Sequence, residues 1–158
     1  QAETRAAARA LLGDDRCRVR FMGFRESYFP ARFPDVKDAF ESLKPIAPAL
    51  VLTHRLEDRH QDHALLANLT WNTFRGPSVL EYEIPKFEGD LGQPNLYVPV
   101  TAADLDRKTG ALLDCFPSQR ARSWFTAETF RGLARLRGIE CVAPDGYAEA
   151  FHARKLRV

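Results

Sequence analysis

Residues 49–63 read Ala-Leu-Val-Leu-Thr-His-Arg-Leu-Glu-Asp-Arg-His-Gln-Asp-His, a short apolar run followed by a loop rich in histidine and carboxylate. The apolar run is typical of a buried strand. In open α/β sheets, ligands bind just beyond the carboxyl ends of the strands, which is where this loop begins. Zinc accepts imidazole and carboxylate ligands, and a catalytic zinc site needs about three protein ligands plus an open position. The sequence therefore predicts an α/β fold with a metal site in this loop.

The same loop also has a simpler interpretation. A polar connection between a strand and a helix can carry solvated histidine and aspartate side chains without any metal. If the next helix begins near Asp62, His63 lies in its first turn and His60 on the incoming loop, so that both face one cavity. Asp58 or Asp62 would then orient an imidazole and fix its tautomer. His54, which ends the strand, offers a second ligand arrangement with Asp58 and either His60 or His63.

The bulk composition indicates one globular domain without a strongly charged partner. At 158 residues and 45% hydrophobic content, the chain predicts a single domain over residues 1–158. The formal net charge of +2 favours no nucleic-acid partner, and no apolar stretch is long enough for a membrane span. Three widely spaced cysteines favour a reducing compartment, and hence the cytoplasm. The oligomeric state is left open, a homo-oligomer included.

Helical periodicities alternate along the chain with short apolar runs. This alternation predicts an α/β, Rossmann-like fold whose sheet is mostly parallel, with helices on both faces. Helices are predicted over residues 3–12, 36–43 (with Asp35 as the N-cap), 64–74, 101–115 and 127–137, the last one ended by Gly138. Strands are predicted over residues 18–24, 50–53, 79–84, 96–100 and 140–142. A variant capping box, Thr101-x-x-Asp104, is predicted to open the fourth helix.

The chain resembles a known enzyme family at several points in the same order. Residues 58–63, Asp-Arg-His-Gln-Asp-His, after a strand that ends in Thr-His, resemble the second signature of the GlcNAc-PI de-N-acetylase superfamily, also called PIG-L or LmbE-like. Weaker matches are the alanine-rich opening helix, Arg25-Glu26, Phe29-Pro30, Ser118-Gln119 and residues 147–151. The resemblance implies a Rossmann-like fold and zinc-dependent removal of an N-acetyl group from an amino sugar, such as N-acetylglucosamine, or a glycoconjugate.

The resemblance also assigns roles to particular residues. It implies that His63 binds Zn²⁺, that His60 stabilises the tetrahedral intermediate and protonates the leaving amine, and that Asp62 supports His60. Arg25 and Glu26 match positions near the substrate pocket of some family members. Their alternative interpretation is a solvated pair in a loop.

One departure from the family bears on activity. Family members begin with a strand that leads into a His-Pro-Asp-Asp motif, which supplies two zinc ligands and the general base, and this sequence contains no such motif. We therefore expect the N-terminal strands of the family to be missing here. The competing hypotheses are a non-catalytic remnant that binds sugar or protein, and a metal phosphoesterase, which is disfavoured because no glycine-rich phosphate loop accompanies the histidines.

Overall fold

The computed structural model describes residues 1–13 and 17–157. Its helices are α1 (Ala2–Leu12), α2 (Phe33–Glu41), α3 (Gln61–Thr73), α4 (Ala102–Cys115) and α5 (Ala127–Glu140). Its strands are β1 (Leu50–Thr53), β2 (Ser78–Tyr82), β3 (Leu96–Val100) and β4 (Tyr147–Lys155). Single 3₁₀ turns cover Pro30–Arg32, Lys44–Ile46 and Pro117–Gln119. None of the helices in this described part has the length and apolarity that a membrane crossing requires.

The α/β class is confirmed, but the predicted direction of the strands is wrong. The four strands lie in the order β1-β2-β4-β3. β1 and β2 are parallel, whereas β4 is antiparallel to β2, and the sheet is mostly antiparallel. Side chains of a strand alternate between the two faces of the sheet with a period of two, whether the strand is parallel or antiparallel to its neighbour. The hydrophobic pattern therefore predicted the strands without their direction.

The chain forms two compact units. One comprises residues 1–21, 85–87 and 97–149; it contains α1, α4 and α5, and its core includes Leu105, Phe125 and Ala134. The other comprises residues 22–84, 88–96 and 150–158; it contains α2, α3, β1 and β2, and buries Leu69 and Val79 among others. The histidine-rich loop belongs to this second unit. A single domain over residues 1–158 stays a prediction.

Two predicted strands are wrong. Residues 17–24 form no strand, and Gly23 has φ 74°, a left-handed conformation that interrupts an extended run. Residues 140–142 are not a strand either, because α5 continues through Gly138 to Glu140. A Cβ on Gly138 would lie 2.2 Å from the carbonyl oxygen of Gly146. The glycine therefore allows a close backbone approach and does not end the helix.

The other helices follow the sequence closely. Thr101 accepts a hydrogen bond from the backbone N–H of Asp104 at 3.1 Å, which confirms the capping box of α4. α2 begins at Phe33, three residues before the predicted start, so Asp35 lies in its first turn and is not the N-cap. α3 begins at Gln61 with His60 as its N-cap residue. The loop that joins β1 to α3 is thus seven residues long, from His54 to His60.

Candidate metal centre

The end of β1 and the start of α3 bring three histidines together. β1 is held against α3 by a buried hydrogen bond between the hydroxyls of Thr53 and Thr70, 3.0 Å apart. His54 follows Thr53 directly, and His63 lies in the first turn of α3. Their rings stack with centroids 3.9 Å apart and planes 11° apart, and the centroids of His60 and His63 are 4.5 Å apart. The three imidazoles therefore lie on one side of the loop.

Asp58 completes a group of possible metal ligands. One ligand atom each from His54, Asp58 and His63 lies within 4.8 Å of the other two. One carboxylate oxygen of Asp58 is 3.1 Å from Nδ1 of His63, and the other accepts a hydrogen bond from the backbone N–H of His60 at 2.8 Å. The Asp58 side chain is only 7% exposed. This carboxylate fixes the orientation of the His63 ring and favours the tautomer that leaves Nε2 free to bind a metal.

The donor set fits zinc. With Asp58 bound to the ion, two imidazoles and one carboxylate form a ligand set typical of catalytic zinc. With Asp58 on Nδ1 of His63, the two imidazoles are the ligands and the carboxylate gives the support that is common at such sites. His60 stands beside the group, and its Nδ1 is buried with no hydrogen-bond partner among the described residues. A polar atom in that position is costly unless something in the functioning protein pairs with it. The arrangement can thus hold a divalent cation next to an imidazole that is available for proton transfer.

Tyr82 forms one wall beside His54. Its ring meets the His54 ring edge-on, with centroids 5.0 Å apart. Burial, together with the charge of Asp58, raises the pKa of Tyr82 to about 12. The phenol is therefore neutral at physiological pH and can donate a hydrogen bond.

A buried carboxylate on β2 is hydrogen-bonded to the loop between β1 and α3. Glu81 is 0% exposed and accepts hydrogen bonds from Trp71 Nε1 at 2.9 Å and from Arg154 Nε at 3.0 Å. The backbone N–H of Leu56, in the loop itself, donates to the same carboxylate at 3.4 Å. Arg154 also pairs with Glu57. Sequence reasoning missed this network; the signal for it was a glutamate in the middle of the apolar run on β2.

The residues predicted for the site fall into two places. His60 and His63 lie in the histidine group. Asp62 is only 3% exposed and accepts hydrogen bonds from the backbone N–H groups of Ser27 at 2.5 Å and Phe29 at 3.1 Å, and it lies outside the ligand group. Its contacts anchor the segment that follows Arg25 and Glu26.

Arg25 and Glu26 are exposed. The guanidinium of Arg25 lies 4.0 Å from the centroid of the Tyr28 ring, and Gln61 donates to the carbonyl of Ser27 at 3.3 Å. The two residues therefore sit in a loop that is tied to the first turn of α3. The sequence analysis also raised a second ligand arrangement, in which His54 and Asp58 act with His60 or His63. The structure brings together His54, Asp58 and His63.

Comparison by sequence finds no match: no family model matches the chain, and no curated protein is significantly similar to it. Solved structures do share its fold. A conserved protein from Thermus thermophilus superposes with a TM-score of 0.72 at 22% identity, over 99% of this chain and 74% of that one. The 4-carboxy-2-hydroxymuconate hydratase from Pseudomonas putida gives 0.65 at 20% identity, over 99% and 71%.

A third similar structure is an N,N'-diacetylchitobiose deacetylase from Pyrococcus horikoshii, solved with an inhibitor. It superposes with a TM-score of 0.72 at 20% identity, over 95% of this chain. The chain spans 61% of the length of that deacetylase. At these identities the likeness establishes the fold, and a deacetylase and a hydratase are both built on it. Function must therefore be argued from the site.

Proposed function

We propose that this chain is a zinc-dependent hydrolase that removes an N-acetyl group from an amino sugar or a glycoconjugate. The observation that carries the proposal is the convergence of His54, Asp58 and His63 at the carboxyl end of β1. The fold shared with the diacetylchitobiose deacetylase and the resemblance of residues 58–63 to the PIG-L signature both support it. The three free cysteines are compatible with the cytoplasm as the compartment.

In this proposal, His54 and His63 would hold the ion, and Asp58 would either join them or orient His63. When bound, zinc supplies Lewis acidity that polarises the amide carbonyl and makes water a stronger nucleophile. The remaining chemistry belongs to the chain. An amide is hydrolysed when water adds to the carbonyl carbon, the C–N bond breaks, and the nitrogen leaves as a protonated amine.

We propose that His60 carries out the proton transfer. Its ring lies beside that of His63 at the N-terminus of α3, and its buried Nδ1 makes no hydrogen bond to another described residue. An imidazole held there can take the proton that the attacking water loses, stabilise charge on the carbonyl oxygen, and donate that proton to the departing nitrogen. Asp62 then acts as a positioning residue, because its carboxylate holds the backbone of Ser27 and Phe29. Arg25 and Glu26, in the anchored loop, are the proposed contacts for the sugar hydroxyls.

The test is acetate release by zinc-loaded protein from N,N'-diacetylchitobiose and N-acetylglucosamine. We expect His63→Ala to lose both zinc and activity, because a ligand is gone. We expect His60→Ala to keep its zinc and to lower kcat by about 10²–10⁴-fold, the usual contribution of a general acid or base. His152→Gln, which changes a histidine outside the group, should keep both zinc and activity.

Two results would contradict the proposal. One is zinc-loaded wild-type protein that binds these sugars without releasing acetate, which would favour the non-catalytic binding module. The other is equal zinc content in wild-type protein and His63→Ala, which would remove His63 from the site. Phosphate release from generic phosphoesters in the same assay would instead favour the phosphoesterase.

A further inference from the structure

A cavity lies at the opposite end of β1 from the histidines. Its volume is about 560 Å³, and it is lined by residues that precede β1 and β2, including Pro48 and Pro77. The histidine group follows the carboxyl end of β1, so the four residues of the strand separate the two places. The cavity is therefore distinct from the candidate metal centre.

Three cationic side chains line this cavity: Lys44, Arg75 and Arg157. Lys44 forms an ion pair with Glu41, which does not line the cavity. Within residues 1–13 and 17–157, no carboxylate forms an ion pair with Arg75 or Arg157. The two guanidiniums are therefore available to an anion, and guanidinium can bind phosphate through two parallel hydrogen bonds.

A buried hydroxyl lies in the same wall. Thr73 is only 6% exposed, lines the cavity, and has an Oγ1 with no hydrogen-bond partner among the described residues. Such a group is costly when left unpaired, but its Oγ1 has almost no exposed surface, so the hydroxyl belongs to the wall and is not offered to a ligand. Next to it, Phe74 and Pro48 give the cavity apolar surface.

The backbone around the cavity is already fixed. Lys155 donates hydrogen bonds from Nζ to the carbonyl of Arg75 at 2.9 Å and to that of Phe74 at 3.4 Å. The N–H of Arg157 donates to the Ser78 hydroxyl at 2.8 Å. Both arginines thus extend from backbone that is held in place, which lowers the entropy that a ligand must overcome. Lys155 adds further positive charge nearby.

We propose that this cavity binds a phosphate monoester that carries an apolar or aromatic group. The phosphate would meet Arg75 and Arg157, and the apolar part would pack on Phe74 and Pro48. A dianionic phosphate matches two guanidiniums better than a carboxylate does, because it carries more charge and more acceptor oxygens. The site is independent of the proposed deacetylase function, since it shares no residue with the histidine group.

Calorimetric titration with phenyl phosphate tests the proposal. We expect binding by the wild-type chain and by His63→Ala alike, which places the site away from the metal centre. Arg75→Gln and Arg157→Gln should each weaken binding by about tenfold or more, as loss of a charge-assisted hydrogen bond does. Arg20→Gln, which removes an exposed charge elsewhere, should leave the affinity unchanged. Inorganic phosphate and benzoate should bind more weakly than phenyl phosphate.

Thr73→Val supplies an independent check. Valine keeps the shape of threonine without the hydroxyl, which has almost no exposed surface, so we expect the free protein to be at least as stable and to bind phenyl phosphate with unchanged affinity. Phenyl phosphate that binds Arg75→Gln and Arg157→Gln as tightly as Arg20→Gln would overturn the proposal. So would the absence of binding to wild-type protein, or binding that is lost in His63→Ala.

Discussion

Asp58 contributes to the candidate site with both of its carboxylate oxygens. One faces Nδ1 of His63 and the other accepts the backbone N–H of His60, so a single side chain orients the His63 ring and holds the backbone of His60. Because its side chain is nearly buried, these contacts are poorly replaced by water. A carboxylate in this position sets both the rotamer and the tautomer of the ligand histidine.

We therefore expect Asp58→Asn to weaken zinc binding by about 10–100-fold, the usual cost of losing such support, or more if Asp58 is itself a ligand. Competition with a chromophoric zinc chelator measures the affinity. Glu57→Gln is the control, because it changes a neighbouring carboxylate that points to Arg154 and Arg55. Equal zinc affinities for wild-type protein and Asp58→Asn would show that Asp58 has no part in the site.

His152 makes folding sensitive to pH. It is buried, and its Nε2 has no hydrogen-bond partner among the described residues. Burial lowers the pKa of His152, Arg55 and Arg154 lower it further, and Glu83 and Glu81 oppose them. The unfolded chain therefore binds this proton more readily than the folded one, so stability falls as the pH drops below about 6.5.

Urea denaturation at pH 7.5 and at pH 5 measures this effect. Wild-type protein should lose more free energy of unfolding between the two pH values than His152→Gln loses, because glutamine does not titrate. Every other histidine is the same in the two proteins, so the comparison isolates position 152. Identical losses in the two proteins would exclude a role for His152.

At the scale of elements, the first turn of α3 joins the histidine group to the loop that carries Arg25 and Glu26. Asp62 makes this connection. Its carboxylate accepts hydrogen bonds from the backbone N–H groups of Ser27 and Phe29, which precede it by 35 and 33 positions in the chain. Ser27, one of the two, has φ 67°, which is unfavourable for a residue with a side chain. The loop therefore depends on Asp62 for its conformation.

Asp62→Asn leaves one of those two N–H groups without its acceptor. We expect amide hydrogen exchange at Ser27 and Phe29 to accelerate by about tenfold or more, while zinc content stays at the wild-type level. Asp38→Asn, on the exposed side of α2, should change neither. If Asp62→Asn lost zinc with unchanged exchange at Ser27 and Phe29, Asp62 would belong to the metal centre.

Glu81 connects β2, α3 and β4 through its hydrogen bonds to Trp71 and Arg154. Removing its charge leaves Arg154 with the exposed Glu57 as its remaining partner among the described residues. We expect Glu81→Gln to lower the free energy of unfolding by about 2 kcal/mol. Glu57→Gln, whose side chain is 52% exposed, should cost less than about 1 kcal/mol.

Urea denaturation of both variants at pH 7.5 distinguishes the buried partner of Arg154 from the exposed one. Costs of similar size would mean that Glu81 contributes no more than a surface ion pair does.

At the scale of the whole molecule, the sequence predicts local features better than distant ones. The end of β1, the start of α3 and the convergence of His60 with His63 depend on residues close together in the chain, and the local pattern predicted them. The partners of Asp62 lie more than thirty residues away, and periodicity holds no information about them. The direction of β4 beside β2 is equally non-local.

Single residues also mislead when tertiary contacts override their local preference. A glycine at position 138 is typical of a helix end. In the folded protein, however, a glycine is needed there because the backbone of Gly146 lies too close for a Cβ atom. Glu81 interrupts an apolar pattern because Trp71 and Arg154 satisfy its carboxylate. In both cases a contact made only in the folded protein determines the role of the residue.

The most direct test of the central claim is a crystal structure of the zinc-loaded protein with diffraction recorded at the zinc absorption edge. We predict one anomalous peak bonded to a ring nitrogen of His54 and of His63, at about 2.0–2.1 Å, with Asp58 bound to the ion or to His63. A zinc-loaded crystal with no peak between these two rings, or with zinc held by other residues, would contradict the account.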